Sequence, residues 1–427
     1  MTVVEAAAPE LPDLPAASAA RFVGDRRAYW RLLIRGAVLL AVTLGIYRFW
    51  FATELRRFLW SNTEIVDETL EYTGTATELL TGFLVAIALL VPLYLGFALA
   101  ALSLGPAGQL ISTLSFPLLF FLGQFAVYRA RRYRLTRTIY RGVRCHQGGS
   151  ALRYAVCAVF WWLLIVLTMG LAYPFAQARL EGFKLRHTYY GNLQGRFDGS
   201  GFRLFMRGLP MWLLVAGPLV FALAFSVATV EWDKVVEAAI STGSGADFIN
   251  QLETAFPAVY TAIVISVVAI AMSVLMTAVL FPVFQAMMLR WWLSGLRFST
   301  LTIRSDLRTG AIYGAYLRFL WYGLLFLIAE VVAGVAALMI ANPALAALGK
   351  PDAAEIAEAV IGLGLYVTTM LGFSAIYQGT VKITLWRSGV ESLTLTGADA
   401  LDRVDAEGAP SSAVGEGLAD ALNVGGF

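Results

Sequence analysis

The sequence predicts an all-α polytopic membrane protein with short cytoplasmic β-hairpins, and three observations predict it. Of 427 residues, 59% are hydrophobic and 14% charged, against about 25% charged in a soluble domain. Eight apolar runs approach the ~20 residues that cross a bilayer as a helix. Between them lie short β-prone runs that close on glycine.

The apolar runs fall at about 30–51, 79–102, 106–129, 152–177, 205–230, 257–287, 316–342 and 358–381. Read simply, these are eight spans. The loops disagree with that count, because Lys and Arg favour the cytoplasmic side. Loop 129–153 holds eight arginines and no acid, and loop 179–207 holds six Lys/Arg, yet one segment separates them. Loops 102–110, 231–256 and 343–358 are uncharged or acidic and read as external, and 290–318, with five arginines, reads as internal. Segments 30–51 and 152–177 alone break the alternation.

Both of these carry Thr-x-Gly, "TLG" at 43–45 and "TMG" at 168–170. About 14 apolar residues precede each break, roughly 21 Å of helix against a ~30 Å hydrocarbon core. Gly45 and Gly170 are the expected turns, and mixed aromatic and basic sequence follows, as in an interfacial helix. The expectation is therefore six full spans as three hairpins (79–129, 205–287, 316–381) plus two re-entrant or interfacial segments, with eight ordinary spans as the alternative.

An offset of 125 aligns more than these turns: Gly24 with Gly149, Tyr29 with Tyr154, Leu55 with Leu180, Thr63 with Thr188, Gly74 with Gly199. The runs at 62–74, 137–149, 187–199, 299–310 and 389–397 share a β-prone form ending in Gly, and "RFVG" (21–24) looks like the same ending without its first half. Isolated hairpins are marginal in water, so several should pair or dock on one surface. The expected organisation is a tail at 1–20, a first membrane repeat at 21–145, a second at 146–290, a partial third unit at 291–397 and a disordered acidic tail at 398–427. Residues 1–20 lack a basic start and a cleavage site, so no cleavable signal peptide is expected.

The strings "TLGIYRFW", "RRFLWSNT" and "EYTGTATELL", with "YRGVRCHQGGSALRYAV", "LTMGLAYPFAQARLEGFKLRHTYYGN" and "RFDGSGFRLF", resemble the YjgN-like family of bacterial inner-membrane proteins, a domain of unknown function, over roughly 20–395. The resemblance implies a multi-pass protein of the bacterial cytoplasmic membrane and supplies no activity. It also points to a membrane zinc peptidase as a partner. Loop 52–78 departs from the basic pattern, with six acids against Arg56 and Arg57. Both termini are expected in the cytoplasm.

No HExxH, Walker loop, GxSxG or CxxC occurs, so neither an enzyme nor a cofactor or metal site is expected. His146 beside Cys145 is two ligands, which make no zinc site. The cysteines read as a loop thiol (Cys145) and a packed core thiol (Cys157). Polar groups at membrane depth need a reason for their cost. Glu330, near the centre of 316–342, either takes up a proton or cation or bonds a polar group on a neighbouring helix. Arg35 either has a function or snorkels to the interface. Gln124, Gln177, Gln285 and Gln378 sit near inner segment ends, where amides bond between helices. Arg129, Arg131, Arg132 and Arg134 are expected to meet anionic lipid headgroups rather than nucleic acid. Two functions are carried forward: transport or permeation of a small solute or lipid, and a non-catalytic scaffold that holds a partner on its cytoplasmic loops.

Overall fold

Strands of three to five residues cannot hold a hairpin in water unaided, and here they gather into one structure. The computed structural model describes residues 18–233, 236, 257–347 and 352–424. Among these, ten strands close into a barrel: β1 (Ser18–Phe22), β2 (Thr63–Ile65), β3 (Glu68–Tyr72), β4 (Thr138–Tyr140), β5 (Val143–Gln147), β6 (Thr188–Tyr190), β7 (Leu193–Phe197), β8 (Leu296–Phe298), β9 (Leu301–Ser305) and β10 (Leu393–Thr396). All pairs are antiparallel. Four are hairpins. The fifth joins the first strand to the last, Ser18 opposite Leu395, and β1 then meets β2 with Phe22 opposite Thr63. The half motif at 21–24 thus finds its missing half at the other end of the chain. Closure removes the unpaired edges that short strands would otherwise present.

Val66 and Asp67 (φ +49° and +63°) and Arg141 and Gly142 (+47° and +73°) make left-handed two-residue turns, whose twist suits tight hairpins. The run expected at 299–310 forms its hairpin three residues earlier, at Leu296–Ser305, because the turn comes at Ser299 (φ +51°) and Thr309 already begins a helix. The closing glycines have a steric reason. The Phe22, Tyr72 and Phe197 rings fold back over Gly24, Gly74 and Gly199, where a Cβ would collide with them. The all-α expectation is corrected here: the hairpins were expected to pair or dock on one surface, and they form a continuous barrel.

The helices are excursions between these strands. Between β1 and β2 run α1 (Arg26–Val42) and α2 (Arg48–Ser61); between β3 and β4, α3 (Ala76–Ser103), α4 (Gly105–Thr113) and α5 (Ser115–Thr136); between β5 and β6, α6 (Ala151–Leu167) and α7 (Tyr173–Arg186). Between β7 and β8 lie α8 (Gly201–Thr229) and α9 (Pro257–Gly295). Between β9 and β10 lie α10 (Thr309–Ala347) and α11 (Asp352–Tyr377), which passes through a π-helical turn (Gln378–Lys382) into α12 (Ile383–Glu391). The bounds of α1, α2, β2 and β3 recur in α6, α7, β6 and β7 with 125 added to every number.

Among the described residues six helices are long and apolar enough to cross a membrane: Ala76–Ser103, Gly105–Thr136, Gly201–Thr229, Pro257–Gly295, Thr309–Leu345 and Ala353–Glu391. At most 11% of any apolar window is buried, the pattern of helices whose outer faces meet lipid. The two segments that broke the charge alternation are not among the six. Each is divided, 17 residues then 14, and 17 residues reach roughly 26 Å.

The chain divides into two compact units, Met1–Val159, Leu180–Gly199 and Leu289–Phe427 in one, Phe160–Arg179 and Ser200–Met288 in the other. They interleave along the sequence, unlike the consecutive stretches 21–145, 146–290 and 291–397, because a closed barrel takes strands from all three. The tail at 1–20 lies outside the described residues as far as residue 17, and Ser18–Phe22 is β1.

The C-terminal expectation is corrected. Within 398–427, Ala398–Arg403 is a 3-10 turn and Val414–Ala421 is a helix, α13. Leu418 and Ala419 pack with Ala86, Ala126 and Ala130, and Glu416 is buried between Arg56 and Arg134. The Gly/Ala/acid composition reads as disorder when its acids are assumed solvated. Here arginines from far up the chain neutralise them.

Candidate functional site

A helix end leaves carbonyls unsatisfied and the next helix start leaves amides unsatisfied. In both divided segments the threonine serves the two ends at once. Thr43 Oγ1 donates to Leu39 O (2.7 Å) and accepts from Tyr47 N–H (3.0 Å). Thr168 Oγ1 donates to Leu164 O (2.8 Å) and accepts from Ala172 N–H (3.0 Å). Leu44 and Gly45 take φ +50° and +89°, Met169 and Gly170 +50° and +95°. Thr-x-Gly is thus a turn device with a defined role for each conserved atom of the pair: hydroxyl as bridge, glycine as left-handed residue.

The second turn opens onto a cavity of about 440 Å³ within the second unit. Tyr173 and Pro174 begin its wall, Leu204, Met211 and Trp212 of α8 continue it, and Phe281, Phe284 and Met288 of α9 complete it. Trp212 Nε1 is spent on Met169 O at 2.8 Å, and the Thr277 hydroxyl on Ser273 O at 2.7 Å. What remains facing the space is hydrocarbon, aromatic faces and methionine, a lining that adapts to an apolar guest. Sequence reasoning placed Gly170 here and missed the α8 and α9 residues, which an all-apolar helix does not distinguish from its neighbours.

In the first unit many charges are paired within the protein. Arg35 meets Glu54 at 2.5 Å, and Tyr47 Oη donates to the other carboxylate oxygen at 3.0 Å. Of the arginines expected at headgroups, Arg131 lies 3.7 Å from Glu181, Arg132 donates to Gly148 O (2.7 Å) and to Gly149 O, and Arg134 lies 3.6 Å from Glu416. Arg129 is partly buried on α5. Three of these four guanidinium groups therefore have protein partners. Glu181 is enclosed by Lys184 (2.6 Å), Arg131 and Trp292 Nε1 (3.0 Å). Burial alone would raise its carboxyl, but Lys184 and Arg131 outweigh that and hold it below the ordinary glutamate range. Arg56 pairs with Glu416, with both side chains under 10% exposed.

Glu330 accepts from the Thr368 hydroxyl across the α10–α11 pair. Gln124, Gln177, Gln285 and Gln378 are all partly buried. Gln378 opens the π-helical turn, and its Oε1 is buried without a hydrogen bond.

The cysteine assignments are reversed. Cys145 is the packed thiol, on β5, and burial pushes it up to about 12. Cys157 is exposed on α6, because that helix keeps apolar side chains all round its surface. His146 stacks on Tyr189 (5.0 Å between centroids, 8°), and His187 Nδ1 lies 2.8 Å from Phe183 O. Among the described residues no three His, Cys, Asp or Glu groups gather as metal ligands.

The model of a family described as bacterial protein of unknown function (DUF898) matches residues 17–421. No curated protein and no solved structure matches the chain.

Proposed function

We propose, for a chain that belongs to the DUF898 family of bacterial proteins of unknown function, that it is a multi-pass inner-membrane protein that takes a lipid acyl chain into the cavity of its second unit, as part of lipid transport or permeation. The single observation that carries this is the cavity: about 440 Å³, with its polar atoms already bonded, bounded by two spanning helices and a turned segment. An unbranched hydrocarbon chain needs volume and no hydrogen bonds. The Thr368–Glu330 hydrogen bond favours lipid over cation-coupled flux, since the acid has a structural partner.

The same reading makes the chain an internal duplication with the barrel and both termini in the cytoplasm. Each divided segment leaves one barrel strand and returns to another, which supports re-entry at 26–61 and 151–186 and full crossing by the six long helices. Non-helical backbone at such depth must be covered by protein or line a cavity. The second turn does the latter.

A scaffold reading is favoured by one feature, the barrel itself, which gathers all five strand pairs into one platform. Its partner would be a membrane protein such as a zinc peptidase.

A diazirine-bearing phospholipid in proteoliposomes tests the lipid reading. Label should concentrate on α8 and α9 peptides and fall several-fold in Met211→Trp, which fills the cavity. Label spread evenly over all lipid-facing helices, and unchanged by Met211→Trp, overturns it. A scaffold tolerates Met211→Trp and fails when hairpin turns such as Val66–Asp67 are altered.

A further inference from the structure

The first unit holds a groove between α3 and α5, and α13 lies in it. Three arginines converge on one face of this helix, where Glu416 and Asp420 stand one turn apart. Arg56 pairs with Glu416 and donates to Tyr72 Oη at 3.1 Å, Arg134 Nε lies 3.6 Å from the other Glu416 oxygen, and Arg48 pairs with Asp420. The other face is apolar: Leu418, Ala419 and Leu422 lie along Ala86, Leu90, Ala126 and Ala130. The charges do not fill their side completely. A space of about 210 Å³ remains beside Arg48, Phe49, Ala52, Arg56 and Leu79.

The groove wall has a counterpart in the second unit. Leu79 and Leu204, and Ala86 and Met211, stand 125 residues apart, the offset between β2–β3 and β6–β7. Gly123, Ala126 and Ala130 stand 158 residues before Phe281, Phe284 and Met288, the offset between β4–β5 and β8–β9. The second groove is open, uncharged and lined by large side chains. The first is charged along one side, lined by small ones, and filled by the chain itself.

We propose that the α3–α5 groove of the first unit is a binding site for an anionic amphiphile, an acidic head on an apolar chain, and that α13 is its intramolecular stand-in. Glu416 and Asp420 take the place of the head, which a phosphate or carboxylate would replace through charge-assisted bonds to the same guanidinium groups. Leu418 and Leu422 take the place of the chain. The site rests on the first unit's own residues and does not require that the second cavity be occupied.

Gly417 gives a way to empty the groove. A Cβ there would overlap the Gly82 backbone, so Gly417→Leu should expel α13 and leave all three arginines in place. The test uses the full chain in neutral detergent with three probes: inorganic phosphate, dodecyl phosphate and dodecyl maltoside. In the wild type, dodecyl phosphate should speed amide hydrogen exchange over 414–421 at least several-fold, while the other two leave it unchanged. By native mass spectrometry, Gly417→Leu should bind dodecyl phosphate about tenfold more tightly, since the competing occupant no longer lowers the fraction of competent groove. Adding Arg134→Gln to Gly417→Leu should remove that gain. If phosphate alone acts equally, the site takes a free anion; if dodecyl maltoside does, the chain alone drives binding. Either result overturns the proposal, as does Gly417→Leu binding no better than wild type, which makes α13 a brace. Should Gly417→Leu fail to fold, the wild-type exchange decides.

Discussion

Arg35 on α1 and Glu54 on α2 face each other across the first Thr-x-Gly turn at 2.5 Å. The pair is solvent-accessible, Arg35 at 58% and Glu54 at 32%, whereas Arg56 and Glu416 are buried together. The two pairs should respond differently to loss of one member. Arg35→Gln should cost about 0–1 kcal/mol, as for exposed pairs. Arg56→Gln strands a buried carboxylate and should cost about 3–5 kcal/mol. Thermal unfolding of both variants in one detergent measures the contrast, and equal costs would contradict it.

The left-handed glycines set a second expectation. Gly45→Ala and Gly170→Ala each force a Cβ into positive φ, at roughly 1 kcal/mol or more. Open space surrounds Gly45, so its penalty is backbone strain alone. Thr43→Val and Thr168→Val remove the hydroxyl bridge and should lower stability by a comparable amount, read by the same unfolding assay.

Acid should weaken the cluster around Glu181. Its folded-state carboxyl lies below the ordinary value of 4.5, so its contribution is fully present above that value and is lost as the pH falls through the lower, folded one. Glu181→Gln should flatten this acid limb of a stability-versus-pH curve. An unchanged limb would show that other carboxylates produce it.

Thiol reactivity separates the two cysteines. With Cys157 replaced by alanine, the folded protein at pH 8 should resist N-ethylmaleimide, because Cys145 is packed on β5 and only partly exposed, with its thiol raised to about 12; denaturation should restore labelling. Mass spectrometry reads both states. Rapid labelling of folded Cys145 would contradict its packing.

The turns were legible because their signal is local: a short apolar stretch, Thr-x-Gly, then aromatic and basic sequence. The β-prone runs were legible for the same reason, to within five residues at their ends. Barrel closure was not, since strands of three to five residues carry no record of their neighbours, and β1 pairs with β10 across most of the chain. The arginines 131, 132 and 134 looked directed at headgroups because no acid lies near them in sequence. Arg132 bonds the Gly148 and Gly149 carbonyls, and the carboxylate partners of Arg131 and Arg134, Glu181 and Glu416, come from a different excursion and from the C-terminal segment. That segment in turn looked disordered for want of the arginines that bury its acids. The cavity wall escaped notice because lipid-facing and cavity-facing apolar residues have the same composition.

Pairing β1 with β10 also fixes an order of events during synthesis. Nine strands can associate as they emerge, but the ring keeps two open edges until residues 393–396 leave the ribosome. A chain that stops short exposes paired-strand edges able to recruit other strands. The last strand therefore seals the ring, and a copy that ends before it keeps two unpaired strand edges.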